Sequence, residues 1–213
     1  MGNADMSNKI KLVHAVKDWN TLNSIAVQGY ADGLECLASV DLLERANAPE
    51  VIAGVNKDGL ALTLRLLVNS TLFRLHVFVV RAFAEVRHPD DRHLRAAITF
   101  LKEDGRLGDV PWPVHRQRLE KAIWIFDRAL IDQRLARLKH MRNKQLAHFA
   151  IYETEGGPTY TDLFEFATLT ASIWEHLGYG TQQIMIDMED QMKAYRRSAE
   201  TFWSAFQRAT ADQ

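Results

Sequence analysis

An all-α fold, an antiparallel bundle of about six helices, is what this 213-residue chain predicts. Three observations carry that expectation. Apolar residues recur at helical spacing along most of the chain, and strict apolar/polar alternation over strand lengths is almost absent. The 5 prolines and many of the 11 glycines fall between the periodic stretches, as helix punctuation does. With 47% hydrophobic and 25% charged residues, the composition is that of an ordinary globular chain. The length suits one domain whose core needs no disulfide or metal.

The first helical stretch is expected from about Asn8 to Arg45, broken once near Gly29–Gly33. Ala48-Pro49-Glu50 and Gly54 mark a connection. A second helix over roughly Asn56–Val86 is apolar on nearly all sides, which predicts a central, buried helix. His88-Pro89-Asp90-Asp91 stops it, and Asp90 is the expected N-cap of a helix from Asp91 to Glu103 that Gly105 ends. A fourth helix, from about Val114 to Ala147, carries the stripe Leu119, Ala122, Ile123, Phe126, Leu130, Leu135 and Leu138. A fifth covers about Thr161–Leu177 and ends at Gly178-Tyr179-Gly180; Thr181 then caps a last helix to about Thr210. Short loops between such helices make neighbours antiparallel.

One cysteine, Cys36, excludes an intramolecular disulfide and a cysteine-based zinc cluster. No apolar run approaches the roughly 20 residues of a membrane span, and the first residues lack the pattern of a signal peptide. A cytoplasmic protein without membrane contact is the expectation. The net charge of −1 hides an uneven distribution: residues 116–148 carry 9 basic and 3 acidic side chains, and residues 149–213 carry 4 and 10. A basic segment between neutral and acidic ones suggests a local anionic ligand. The competing expectation is that the acidic C-terminal helices neutralise the basic one inside the fold.

The most informative stretch is Lys139-His-Met-Arg-Asn-Lys-Gln-Leu-Ala-His148, at the end of the basic helix. Four arginines are followed by a histidine at similar spacing: Arg81 by His88, Arg87 by His93, Arg134 by His140 and Arg142 by His148. Context separates them. Only Arg142 is followed by an amide, Asn143, and only His148 has a small residue, Ala147, before it. These residue types suit phosphodiester chemistry. RNA carries its own nucleophile, the 2′-hydroxyl. A histidine near neutrality serves as base or acid, and an arginine offers a planar, permanently charged fork to phosphate oxygens. An amide orients a phosphate or the arginine. No cofactor is expected, and no metal site.

The Arg142-Asn143 pair followed by His148 resembles the signature of the HEPN superfamily. The fuller form, Arg-x-Lys-x-x-Ala-His, resembles the abortive-infection U-type branch. The resemblance implies a metal-independent endoribonuclease of a prokaryotic toxin–antitoxin or phage-defence system, with Arg142, Asn143 and His148 as catalytic residues. It implies residues 56–213 as the HEPN-like bundle and 1–55 as an N-terminal helical extension, within one all-α domain. Related proteins dimerise with their motif helices facing, which implies a homodimer with a composite site. RNA and a neutralising antitoxin protein are the other implied partners. One branch carries a Tyr two residues after the motif histidine; here that position is Ala150, so adenylylation by an antitoxin is not carried over.

Geometry adds a constraint. At about 100° per residue, Arg142 and His148 lie roughly 120° apart on a straight helix. Convergence on one phosphate then needs arginine's reach, an early helix end or a second copy. Arg137, His140, Met141, Lys144 and His148 share one stripe with Arg134 beside it. Of these, Arg134, Arg137, His140 and Lys144 are the expected RNA-binding residues, against an ordinary solvated basic face.

Other signals are weaker. His88, Asp90, Asp91 and His93 are metal-ligand types, but they sit where a helix cap is expected. Cys36 reads as a small buried apolar residue. Trp124, Trp174 and Trp203 fall on apolar stripes and read as core, while Trp112 sits in a proline-bounded loop. No serine-hydrolase or phosphate-loop motif is present. A non-catalytic helical dimer acting as a protein- or nucleic-acid-binding module is the alternative function. A DNA-binding regulator is a third reading, disfavoured because no short helix–turn–helix is evident.

Overall fold

The computed structural model describes residues 15–142 and 159–207. Among them are eight α-helices, a short 3₁₀ turn (Arg106–Asp109) and no strand. The helices are α1 (Trp19–Ala46), α2 (Pro49–Lys57), α3 (Ala61–Ala82), α4 (Leu94–Leu101), α5 (Pro113–Leu130), α6 (Gln133–Met141), α7 (Tyr160–Gly180) and α8 (Met188–Gln207). The all-α expectation holds; the count of about six does not. The expected connection at Ala48–Gly54 forms a helix of its own, α2, and the second expected helix starts only at Ala61 as α3, after Asp58-Gly59, where Gly59 takes a φ of 71°. The fourth divides into α5 and α6 because Asp132 leaves the helical conformation to cap α6, accepting the Arg134 N–H at 2.8 Å.

The central helix is α7, not α3. It packs chiefly on α1 and α5 and buries Leu163, Phe166, Ala167, Ile173, Trp174 and Leu177. A capping box starts it: Thr159 Oγ1 accepts the Asp162 N–H, and the Asp162 carboxylate accepts the Thr159 N–H. The helix ends at Gly180, within the Gly178-Tyr179-Gly180 stretch expected to stop it. A Cβ on Gly180 would lie 2.5 Å from a Leu119 methyl, so the same glycine also allows the close approach of α5. In α1 the expected break is absent, and the helix is continuous through Gly29 and Gly33. Leu22, Ile25, Ala26, Tyr30, Cys36 and Leu43 of α1 join the main core, so this N-terminal helix is built into the bundle. Phe83 is its aromatic hub, stacked on Phe126 at 5.2 Å and edge-on to Phe166 at 6.1 Å.

Two further expectations are corrected. Asp90 does not cap α4. Its N-cap is His93, and Asp91 instead closes the preceding turn by accepting the N–H groups of Arg87 and His88 at 2.7 and 3.0 Å. α8 begins at Met188, not at Thr181, which closes α7 by donating its hydroxyl to Leu177 O at 2.8 Å. Trp174, Trp203 and Cys36 are buried as expected, and burial pushes the Cys36 thiol up to about 12. Trp124 is half-exposed, with Lys121 and Arg128 over its ring at 4.1 and 5.0 Å. Those cations, one turn to either side, make its apolar position compatible with solvent.

The largest departure is α3. Its C-terminal half buries Leu75, His76, Val79 and Val80, while Leu62 is 80%, Leu66 66%, Leu67 51% and Phe73 50% exposed. Contrary to the sequence expectation, α3 is long and apolar enough to cross a membrane by length and composition. Two of its arginines tie it to α1, Arg74 to Glu35 and Arg81 to Asp32.

A basic cleft at the end of helix α6 as candidate functional site

Helix α6 is fixed from three sides. Leu135 and Leu138 enter the core. Arg134 pairs with Asp132 of its own cap and with Glu165 of α7, and Arg137 meets Asp162 at 3.3 Å. Two of the expected RNA-binding arginines therefore spend their charge on α7. Here the acidic C-terminal part does neutralise the basic helix. The cap donors and these arginines hold the carboxyls of Asp132 and Asp162 below the usual range.

The third anchor is a residue that sequence reasoning passed over. His76, buried on α3, places its Nε2 2.7 Å from the carbonyl of Leu138. That carbonyl also accepts the backbone N–H of Arg142 at the C-cap of α6. The imidazole donates through Nε2, because a carbonyl only accepts. His76 thus holds the helix end that carries the motif arginine. Burial pushes it below the ordinary histidine value of 6.5, aided by the nearby Arg142 charge.

Arg142 is half-buried and lines a cleft of about 910 Å³ with Lys139, three positions earlier on the same helix. The opposite side comes from the end of α3 (Phe78, Arg81) and from the segment holding Arg87, His88, Arg92 and His93. Asp32, Glu85, Asp90 and Asp91 also contribute. Lys139 is held below the usual lysine range by burial and by Arg95 and Arg142, opposed by Glu85. His93 is 7% exposed and neither ring nitrogen has a hydrogen-bond partner among the described residues; Asp91 lies 3.8 Å from its Nε2. Burial lowers its pKa, with Asp91 opposing.

Arg142 and Lys139 thus share one site, whereas Arg134 and Arg137 face α7 and His140 is exposed. Asn143, Lys144 and His148 lie outside the described residues. Sequence reading missed His76, Lys139 and the arginines of the 81–92 stretch. One signal for the latter was available. Arg81 with His88 and Arg87 with His93, set aside as chance spacings, all line this cleft. His88, Asp90, Asp91 and His93 do not gather as ligands, and among the described residues no group of three or more His, Cys, Asp or Glu is placed to hold a metal ion.

Two buried histidines, His76 and His93, and the half-buried His176 have pKa values depressed below 6.5, each first by burial. The unfolded chain therefore takes up protons first on acidification. Stability should fall as pH drops below about 6.5 towards the folded values, before the lowered aspartates contribute near their ordinary 3.8 and below. Thermal melts from pH 7.5 to 5 check this. His76→Phe should shrink the pH slope and cost about 1 kcal/mol for the lost helix-end bond. A melting temperature flat over that range would contradict the assignment.

The class of protein is thus an all-helical bundle whose basic motif helix ends, at an arginine, beside a polar cleft. The HEPN AbiU2 family model, described as AbiU2, matches residues 35–202, and the chain belongs to this abortive-infection HEPN family. No curated protein and no solved structure gives a significant match.

Proposed function

We propose that this protein is a metal-independent endoribonuclease of a toxin–antitoxin or phage-defence system, cutting RNA by attack of the 2′-hydroxyl on the adjacent phosphorus. The observation that carries the reading is Arg142, the motif arginine, half-buried on the wall of a cleft with further cations. In this reading Arg142 neutralises charge building on the phosphorane, Asn143 positions the phosphate and His148 moves the proton. The 5′-oxygen leaves with a proton. The products carry 2′,3′-cyclic phosphate and 5′-hydroxyl ends. Incubating the protein with RNA in excess chelator and mapping the ends tests it. Intact RNA, or cleavage only with added metal, refutes it.

The protein acts as a homodimer in this reading, with a composite site. The exposed half of α3 supports a second copy. Leu62, Leu66 and Phe73 lie within roughly 40° of one another around the helix at 100° per residue. At roughly 200 Å² per large apolar side chain, Leu62, Leu66 and Phe73 present roughly 400 Å² per copy on this face. Two copies would bury about 800 Å² through this face, so a stable dimer of about 1,200 Å² also takes in neighbouring surface. Leu66→Asp should convert a dimer to a monomer in light scattering, with unchanged helical circular dichroism. A wild-type monomer at micromolar concentration would exclude the dimer.

A further inference from the structure

The cleft holds cations that the proposed chemistry does not use. Among the described residues, Arg87 and Lys139 form no ion pair, although both line it. Other charges there are already engaged. Arg81 meets Asp32 at 3.1 Å, and the Arg92 guanidinium donates to the carbonyls of Ala15 and Pro89 at 2.9 and 3.1 Å. Asp91 is occupied by two backbone N–H groups. Lys139 stands close enough to Arg95 and Arg142 to be repelled by both, with Glu85 the opposing charge. A half-buried group of like charges is relieved by an anion brought from outside. His93 supplies an independent sign of a ligand: a buried imidazole lining the same cleft with neither nitrogen bonded among the described residues. Phe78 and Ala84 give apolar surface on which a base can rest. The volume, about 910 Å³, fits a short single strand and not a duplex.

We propose that this cleft binds the sugar–phosphate backbone of single-stranded RNA, with Arg87 on the loop wall and Lys139 on the helix wall holding phosphates next to the linkage that Arg142 faces. The choice of RNA rests on the ribonuclease reading; binding itself does not require cleavage. Segment 84–93 then acts as a second wall that sets the register of the strand.

The test uses a fluorescent 2′-O-methyl RNA 12-mer, which cannot be cut, and anisotropy at several salt concentrations. Arg87→Gln and Lys139→Met should each weaken binding about fivefold at 0.1 M salt and flatten the log–log salt slope by about 0.7, one single-strand phosphate contact each. Lys193→Gln on the remote helix α8 should do neither, and thermal melts verify that all variants are folded. Unchanged affinity and slope in both cleft variants, or no binding by the wild type, overturns the proposal. Cleavage that persists with those variants binding normally sinks this inference alone. Binding that responds as expected in a protein that cuts no RNA sinks the ribonuclease reading alone.

Discussion

Arg142→Ala is expected to lose at least about 100-fold of RNA cleavage, the cost of removing one preorganised donor to a developing oxyanion. The substitution should leave the fold intact. Arg142 sits at the C-cap of α6, outside the buried core, and the helix end is held by His76 and by Leu135 and Leu138. Arg142→Lys should recover only part of the activity, because an ammonium keeps the charge and loses the bidentate fork. His148→Ala should cost about 100- to 10,000-fold, the range for a positioned acid or base. Mixing the two inactive variants tests the composite site. If the arginine of one copy serves the histidine of the other, heterodimers contain one intact site of two, and a 1:1 mixture recovers about a quarter of wild-type activity. No recovery would place both groups in one protomer. Cleavage undiminished in either single variant would remove that residue from the mechanism.

Gly29→Ala is expected to destabilise the main core although it adds only one methyl group. In a solvent-facing helix the change would stabilise by about 1 kcal/mol. Here a Cβ at Gly29 would lie 2.2 Å from the Trp174 ring, which is 5% exposed and fixed between α1 and α7. The indole cannot retreat without opening the main core, so the expected loss is about 1–3 kcal/mol, or roughly 2–12 °C in Tm. Gly33→Ala should cost less, since its closest contact is the flexible end of Met188 at 2.9 Å. Circular dichroism melts of both variants check the order. A Gly29→Ala protein as stable as wild type would show that α1 and α7 are not in close contact at this point.

Of the candidate cleft, Arg142 was legible in the local sequence, and the rest of the lining was not. The stripe Leu119, Ala122, Phe126, Leu135 and Leu138 was readable because core contact imposes a helical period on apolar residues, and these five are all buried. The end of α6 at Met141, with Arg142 as its C-cap, was not readable, since the helical pattern was read on to about Ala147. The pairing of Arg134 with Glu165 and of Arg137 with Asp162 was not, because their partners lie 31 and 25 residues away on α7. His76, 62 residues before Leu138, gave no local sign of its role. Gly29 and Gly33 were misread as a break, because the close approach of a second helix and a local break call for the same residue.

Sequence by itself determined the helical class, the family motif and which side chains are apolar enough to be buried, since these follow from residue chemistry and short-range periodicity. Tertiary structure alone decided which helix is central, which arginines pair with carboxylates of another helix, and which loop faces Arg142. Those outcomes depend on distances between residues far apart in the chain. An apolar helix such as α3 reads the same whether its partner is the chain's own core or a surface still waiting for one.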